Sequence, residues 1–354
     1  MGTKHPGKQG HIMKDDRPLE SAGGNITPLV SIIMCAYNAG EYLRASLVSI
    51  LTQTYQNLDI VIIDDGSTDD SFASITDLLT DRRIRVFHQE NATRPVALNR
   101  ALDLIRGDFY AIQDGDDISH PTRIEKQVRA MLSQPQVAAV FCGNELIIND
   151  RSIAPTFAAK DTDECKRLID AFSMPAHDPT GMFRLSLVKN FRYQQDLQYV
   201  EAFDYILRVG EQHPMIVLGE CLYGYRILWS SVTRRDPARR VKFVAEAMKQ
   251  ACDRRGKEHH QDTAGRSGLR SQNSILDNNL AAHFMESVLD QRKIGNYWGA
   301  FKAGMECARL HPLDAHYYKA LIYAIAPLNV IFFIRDKRSR QHKPGRAKAY
   351  FSGT

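Results

Sequence analysis

The short patterns that most often give away a cofactor are missing from this sequence. No Gly-x-Gly-x-x-Gly follows the first strand-like run, which removes the dinucleotide-dehydrogenase fingerprint, and no Gly-x4-Gly-Lys-Ser/Thr occurs, which removes the P-loop. The six cysteines (Cys35, Cys142, Cys165, Cys221, Cys252, Cys307) form no Cys-x-x-Cys and no zinc-like spacing. Cys35 and Cys142 lie in apolar, strand-like runs and read as buried free thiols, which favours a reducing, cytoplasmic setting. Residues 1–27 lack an apolar signal core; they are polar, rich in Gly, Lys and Asp, and read as a disordered leader. The apolar stretch 320–334 has 15 residues, with Pro327 and Asn329 inside it, short of the ~20 that a spanning helix needs. No aromatic-interleaved platform accompanies the basic residues, so a nucleic-acid partner is not expected.

What is present is an ordinary globular composition over 354 residues, 44% hydrophobic and 25% charged, with a net charge of +5. The charge is unevenly spread. Positions 234–257 hold nine Lys/Arg against three Asp/Glu, and positions 335–348 hold seven against one. Asp64, Asp65, Asp69, Asp70, Asp114, Asp116 and Asp117 all lie far upstream.

Apolar runs at 28–38, 58–67, 83–90, 109–117 and 137–148 alternate with helical periodicities. Leu43, Leu47, Ile50 and Leu51 share one helix face, Phe72, Ile75 and Leu79 a second, Leu98, Ala101, Leu102 and Ile105 a third, and Ile124, Val128, Met131 and Leu132 a fourth. Runs this continuous are those of strands buried on both faces. The alternation predicts an α/β fold, a mostly parallel, doubly wound sheet flanked by helices. Beyond residue 150 it fades into helical patterns near 161–172, 200–210, 236–252 and 275–320, with a polar loop at 254–274.

In such a sheet, ligands bind beyond the carboxyl ends of the strands. Three polar groups fall there: Ala36-Tyr37-Asn38, Asp64-Asp65-Gly66-Ser67 and Asp114-Gly115-Asp116-Asp117. Each alone reads as a helix cap or solvated turn; three in one sheet converge on one edge. Carboxylates so close repel unless a cation lies between them. A hard Mg²⁺ or Mn²⁺ suits them, since it takes carboxylate oxygens and keeps positions open for phosphates and water.

The segments "PLVSIIMCAYNAGEYLRASLVSILTQTYQNLDIVIIDDGSTDDS" and "ALNRALDLIRGDFYAIQDGDDISHPTRIEKQV" resemble an inverting family-2 glycosyltransferase with the A-type (GT-A) nucleotide-sugar fold, over about 28–230. The resemblance implies a nucleotide-diphosphate-sugar donor, a UDP-sugar first, and a hexosyl or N-acetylhexosaminyl transfer that depends on Mn²⁺ or Mg²⁺. It implies that Ala36 and Tyr37 line the base pocket, that Asp65 or Asp64 contacts the nucleobase, and that Asp114 lies near the ribose with Gly115 turning the chain beside it. Asp116 matches the metal-binding aspartate of the D-x-D element, and Asp117 is a second ligand or a helix cap. Arg94 and Asn99 lie in the segment that helps to hold the nucleotide; for Arg94, a solvated loop charge weighs as much as a phosphate contact.

An inverting transfer also needs a general base for the acceptor hydroxyl. The family carries it in a Glu-Asp pair on a helix after a segment like "HDPTGMFR" (177–184). In "YVEAFDYILRV" (199–209) Glu201 matches the Glu and Ala202 stands where the Asp would be. Glu201 or Asp204, one helical turn apart, takes over, or the register differs, or the activity is altered; Glu201 is the candidate carried forward. The division is then a leader to 27, a transferase domain over 28–230 (28–150 nucleotide-sugar-binding, 151–230 acceptor) and a helical, basic region over 231–354. Residues 320–348 offer either a packed C-terminal helix or a peripheral contact with the inner face of the plasma membrane, which would suit a cell-envelope or lipid-linked glycan acceptor. The competing readings are a nucleotidyltransferase and a catalytically impaired nucleotide-sugar-binding protein.

Overall fold

The computed structural model describes residues 27–148, 151–153, 157–226, 228, 237–256, 288–289, 292, 297–310 and 318–327. The leader to residue 26, the basic stretch 335–348 and residues 257–274 of the expected polar loop lie outside them. Strands β1 (Val30–Ala36), β2 (Leu58–Asp64), β3 (Ile84–His88) and β4 (Phe109–Ile112) form a parallel quartet in the order β3-β2-β1-β4. Strand alternation sends Val30, Ile32 and Met34 to one face, against Leu43, Leu47 and Ile50 of α1 (Tyr42–Leu51) and Ile124, Val128 and Met131 of α3 (Arg123–Ser133). Ile33, Val61 and Ile63 point to the other face, against Ala97, Leu98 and Ala101 of α2 (Arg94–Leu104). All of these side chains are buried, which is why the strands read as continuous apolar runs.

The sheet continues past β4 with mixed directions. Strand β8 (Met182–Arg184) runs antiparallel to β4 and to β6 (Ala139–Ile148); β9 (Met215–Arg226) lies parallel to β6 and antiparallel to the short β5 (Ile118–Ser119), and β7 (Arg151–Ile153) hairpins onto β6. The fifth apolar run is therefore a strand, separated from the quartet by an antiparallel insert. The pattern reading passed over β8 and β9. The first is three residues long, and Gly219-Glu220 interrupts the second between two apolar halves. The periodicity around Phe72 forms two 3₁₀ turns, Ala73–Ile75 and Leu78–Thr80, in place of an α-helix. Ser74, Thr76 and Thr80 hydroxyls there donate to the carbonyls of Ser71, Ala73 and Asp77, competing with helical bonding.

Helices α4 (Thr162–Asp170) and α6 (Glu201–Gln212) appear near the expected positions, with a single turn, α5 (Leu185–Val188), between them. Among the described residues, three further helices follow: Pro237–Arg254, Tyr297–Leu310 and Tyr318–Ile325. The first is clamped to α6, Arg254 and Arg255 both pairing with Glu211. The last two cross closely at Gly304, where a Cβ would come 2.8 Å from Leu321 Cα.

Candidate active site

All three polar strand ends lie at the carboxyl edge of the parallel quartet. Beyond β1, Ala36 is buried and Tyr37 is 49% exposed. Asn38 adopts a left-handed φ of 49° and is held by Ser67 and Thr68 of the neighbouring strand end, its backbone N–H donating to Ser67 Oγ at 3.1 Å and its Oδ1 accepting from Thr68 N at 2.8 Å. Gly66 has φ 78°, and a Cβ there would sit 2.7 Å from Asn91 N, so only glycine lets this turn close on the loop before α2. Gly115 has no such constraint; it is buried, its Cβ direction facing Ala36 and Ala39 at 3.5 Å.

The two aspartates after β2 differ. Asp64 commits both oxygens, Oδ1 to Ser67 N (2.8 Å) and Oδ2 to His88 Nδ1 (2.8 Å). Asp65 takes its two bonds on Oδ1 alone, from Gln89 Nε2 at 2.6 Å and Ala92 N at 3.0 Å. Asp65 is therefore the one of the pair with an oxygen left for a ligand.

At the centre stands Arg94, the first residue of α2. Its guanidinium reaches Asp114 Oδ1 at 2.8 Å, Glu201 Oε1 at 3.1 Å and Asp178 Oδ2 at 3.5 Å. Burial alone would push its pKa down, but the three carboxylates outweigh that and hold it well above the ordinary value. Three acids share one cation, and two of their oxygens, Asp178 Oδ1 and Glu201 Oε2, are buried with no hydrogen-bond partner. Burial pushes the Asp178 carboxyl up to about 7; Arg94 pulls it down, and Asp114 and Glu201 push it further up. The sequence reading missed Asp178. Its available signal was an acidic residue inside the "HDPTGMFR" segment, directly before Pro179.

Topology explains how Asp178 arrives here. Because β8 is antiparallel to β4, pairing Ala111 with Met182, the residues that precede β8 lie at the carboxyl end of β4, beside Asp114. That 178–181 turn is pinned by a buried network also missed from sequence. Arg123, fully buried on α3, donates to Pro179 O (2.6 Å), Ile112 O (3.1 Å) and Ser119 Oγ (2.9 Å), while Gln127 Nε2 donates to Thr180 O (2.8 Å) and Val140 O (2.7 Å). The signal was two polar residues at i and i+4 on an otherwise apolar helix face.

The acids of the D-x-D element divide by partner. Asp117 is fully buried; Oδ2 accepts from Tyr223 Oη at 2.9 Å and Oδ1 from Arg226 N at 2.7 Å. Burial, then Asp116 and Asp114, raise its pKa well above the carboxylate range. With both oxygens engaged by protein donors, it ties the element to β9, and the expectation of a second metal ligand is corrected. Asp116 is partly exposed and pushed up to about 6, by burial first and then by Asp114, with Arg94 and Arg226 opposing. No group of three or more His, Cys, Asp or Glu suited to a metal occurs among the described residues. One carboxylate fits a Mg²⁺ or Mn²⁺ that takes its remaining ligands from substrate phosphates and water.

Comparison with known proteins bears on this arrangement. The family model for glycosyl transferase family 2 matches residues 31–191, the span that supplies every strand end above. Residues 31–191 are similar to glycosyltransferase family 2. An uncharacterized glycosyltransferase of Haemophilus influenzae is 30% identical over 214 residues, 56% of this chain and 66% of that protein. The glycosyltransferase GlyG of Streptococcus pneumoniae is 38% identical over 122 residues, 34% of this chain and 40% of the relative. The chain thus spans less than two thirds of either relative's length. Among solved structures, S. aureus TarS 1–349 in complex with UDP-GlcNAc superposes with a TM-score of 0.55 at 16% identity, covering 91% of this chain and 95% of that one. The mannosyltransferase PcManGT of Pyrobaculum calidifontis, in complex with GDP-Man and Mn²⁺, gives 0.53 at 16%, covering 90% and 81%. At these identities the likeness establishes the fold, which is GT-A.

Two expectations carried over from the family-2 pattern meet a different geometry. Asn99 spends its amide on the backbone of Tyr193, donating to Tyr193 O and accepting from Tyr193 N, both at 2.8 Å, so it anchors the chain ahead of α6 instead of a nucleotide. Asp204 is fully buried and bound to Arg208 Nε at 2.8 Å and Arg254 Nη1 at 3.5 Å, fastening α6 to the helix Pro237–Arg254. One turn from Glu201 on the same helix, it faces other arginines and is removed as a base. Ala202, between them in sequence, is half-buried and offers only a methyl group.

Proposed function

We propose that this chain moves a sugar from a nucleotide-diphosphate-sugar donor, a UDP-sugar first, to a hydroxyl acceptor, with inversion at the anomeric carbon. The observation that carries the reading is the gathering of Tyr37, Asp65, Arg94, Asp114 and Asp116 at one sheet edge. They come from the ends of β1, β2 and β4 and the start of α2, and each has a side chain left to meet a ligand or a partner that orients it. Tyr37, half exposed beside Asp65, suits a nucleobase face and edge. Asp114, oriented by Arg94, suits a ribose hydroxyl. Asp116 would hold Mn²⁺ or Mg²⁺ together with the diphosphate; bound there, the ion supplies charge stabilisation for the leaving group. That TarS is solved with UDP-GlcNAc and PcManGT with GDP-Man and Mn²⁺ supports a nucleotide sugar here, of hexosyl or N-acetylhexosaminyl type.

For the acceptor, we infer a cell-envelope or lipid-linked glycan reached from the cytoplasmic face of the membrane. No helix among the described residues is long and apolar enough to cross a bilayer. Tyr318, Ile322 and Ile325 nevertheless form an exposed i, i+4, i+7 stripe, 39%, 54% and 68% exposed, and Trp298 is 65% exposed. The seven basic residues of 335–348 follow closely in sequence.

The test is calorimetric titration of UDP with and without Mn²⁺, with thermal-shift screening of nucleotide sugars. Asp116→Asn should abolish the Mn²⁺-dependent part of the UDP signal and leave the metal-free part. A full-size Mn²⁺ effect in that variant refutes the metal assignment, and absence of nucleotide binding in the parent chain refutes the transferase reading.

A further inference from the structure

We propose that Asp178 is the general base of the transfer, taking the acceptor's proton in the role that Ala202 leaves empty on α6. The inference rests on the glycosyl-transfer reading above.

Four observations converge on Asp178. Its carboxylate is 4% exposed, and Oδ1 is buried with no hydrogen-bond partner. Oδ2 has the longest of the three contacts with Arg94, 3.5 Å against 3.1 Å for Glu201 and 2.8 Å for Asp114, so Asp178 is the acid least committed to that cation. Its backbone is held on both sides, since Thr180 Oγ1 donates to His177 O at 2.6 Å and Arg123 grips Pro179 O. A rigid carriage is what a base needs to meet a hydroxyl reproducibly. The charge around it is also incomplete: Asp114 and Glu201 face it with one guanidinium among three acids, His177 precedes it in the chain, and the nearby phenols Tyr110, Tyr193 and Tyr205 are held neutral by burial. Tyr193 Oη is itself buried and unpartnered. Accepting a proton at Asp178 relieves repulsion in this cluster, which makes it a stronger base than an isolated aspartate. Its carboxyl, pushed up to about 7, is matched to work near neutral pH.

In the step itself, Asp178 Oδ1 takes the proton of the acceptor hydroxyl as that oxygen's electron pair forms the new bond to the anomeric carbon. The bond from that carbon to the diphosphate oxygen breaks, its pair leaving with the nucleoside diphosphate. The proton passes from Asp178 to solvent after the products separate. Glu201, bound to Arg94 through Oε1, is then a positioning residue that fixes the guanidinium between Asp114 and Asp178.

The experiment uses the full chain with Mn²⁺ and a panel of UDP-glucose, UDP-galactose, UDP-GlcNAc, UDP-GalNAc and GDP-mannose, following donor hydrolysis, in which water replaces the acceptor. For the parent chain, turnover should rise about tenfold per pH unit below pH 7 and level off above it. Asp178→Asn should lower turnover at least about 100-fold, abolish that limb and leave UDP affinity within about twofold, whereas Glu201→Gln should keep the limb while raising KM. The proposal is overturned if Asp178→Asn retains turnover within about threefold, or if Glu201→Gln removes the limb instead. Should Asp178→Asn fail to fold, the parent profile decides: a rate flat from pH 5.5 to 8.5 overturns it. If the parent hydrolyses none of the donors and binds no UDP, the transferase reading itself falls. Binding and hydrolysis that ignore Asp178 sink only this inference.

Discussion

Replacing Arg123 by methionine isolates the scaffold under the site. Arg123 is fully buried and forms no ion pair among the described residues; its guanidinium is met by carbonyls, side-chain oxygens and the Tyr223 ring, 4.8 Å away. Methionine keeps the stem and strands the Pro179 and Ile112 carbonyls, whose bonds with Arg123 are 2.6 and 3.1 Å. An unmet buried acceptor costs about 1–3 kcal/mol, so the pair costs about 2–6 kcal/mol. Removing a buried cation that lacks a counter-charge returns part of this, leaving a net loss of about 2–4 kcal/mol. At about 2–4 °C per kcal/mol for a unit of this size, Tm should fall by about 4–16 °C. The 178–181 turn should loosen with it, lowering kcat by about 10–100-fold while UDP affinity holds, because misplacement of a catalytic group by about 1 Å costs on that order. Urea unfolding followed by circular dichroism, with turnover on the folded fraction, measures both. A loss below about 0.5 kcal/mol, the level of an uninvolved surface substitution, with kcat unchanged, would refute the claim that Arg123 holds this turn.

Asp204→Asn should separate fastening from chemistry. The fully buried Asp204 pairs with Arg208 on its own helix and with Arg254 on the helix that follows, so stability should drop by about 3 kcal/mol in chemical denaturation while turnover per folded molecule stays unchanged; lost turnover in a fully stable variant would return Asp204 to the list of bases. Gly66→Ala forces a Cβ to within 2.7 Å of Asn91 N at φ 78°, which should cost about 1–3 kcal/mol and weaken UDP binding by displacing Asp65. Wild-type affinity and stability in that variant would show that the turn has room.

The parallel half of the sheet was legible because burial on both faces writes itself as continuous apolar runs, and α1, α2 and α3 were legible because one face of each is apolar. Where side chains compete locally for the backbone, as along 71–80, the apolar spacing misled, since periodicity reports which residues are buried and not how the chain winds between them. Strands β8 and β9 escaped because one is too short and the other too interrupted to show a period. Their absence had a functional cost: without an antiparallel strand beside β4, nothing brings residue 178 to the edge where Asp114 sits.

The roles of the acids were less legible than their positions. Asp116 and Asp117 are adjacent in sequence, yet one is partly exposed and the other is closed by a tyrosine hydroxyl and a main-chain amide from β9. Glu201 and Asp204 lie a turn apart, yet Arg94 claims the first and Arg208 with Arg254 the second. Apart from Arg208, one turn along the same helix, the partners that decide come from other elements, the farthest of them over a hundred residues away in sequence, and no local spacing encodes them. The same reasoning bears on Ala202. A missing carboxylate on a helix removes an activity only if no other element can deliver one to the same place. Here a turn ordered by Arg123 and Gln127 delivers Asp178 to the same arginine that Glu201 holds. A motif that looks broken along the chain can therefore be complete in space, and the pH limb of Asp178 is the property that tells the two conditions apart.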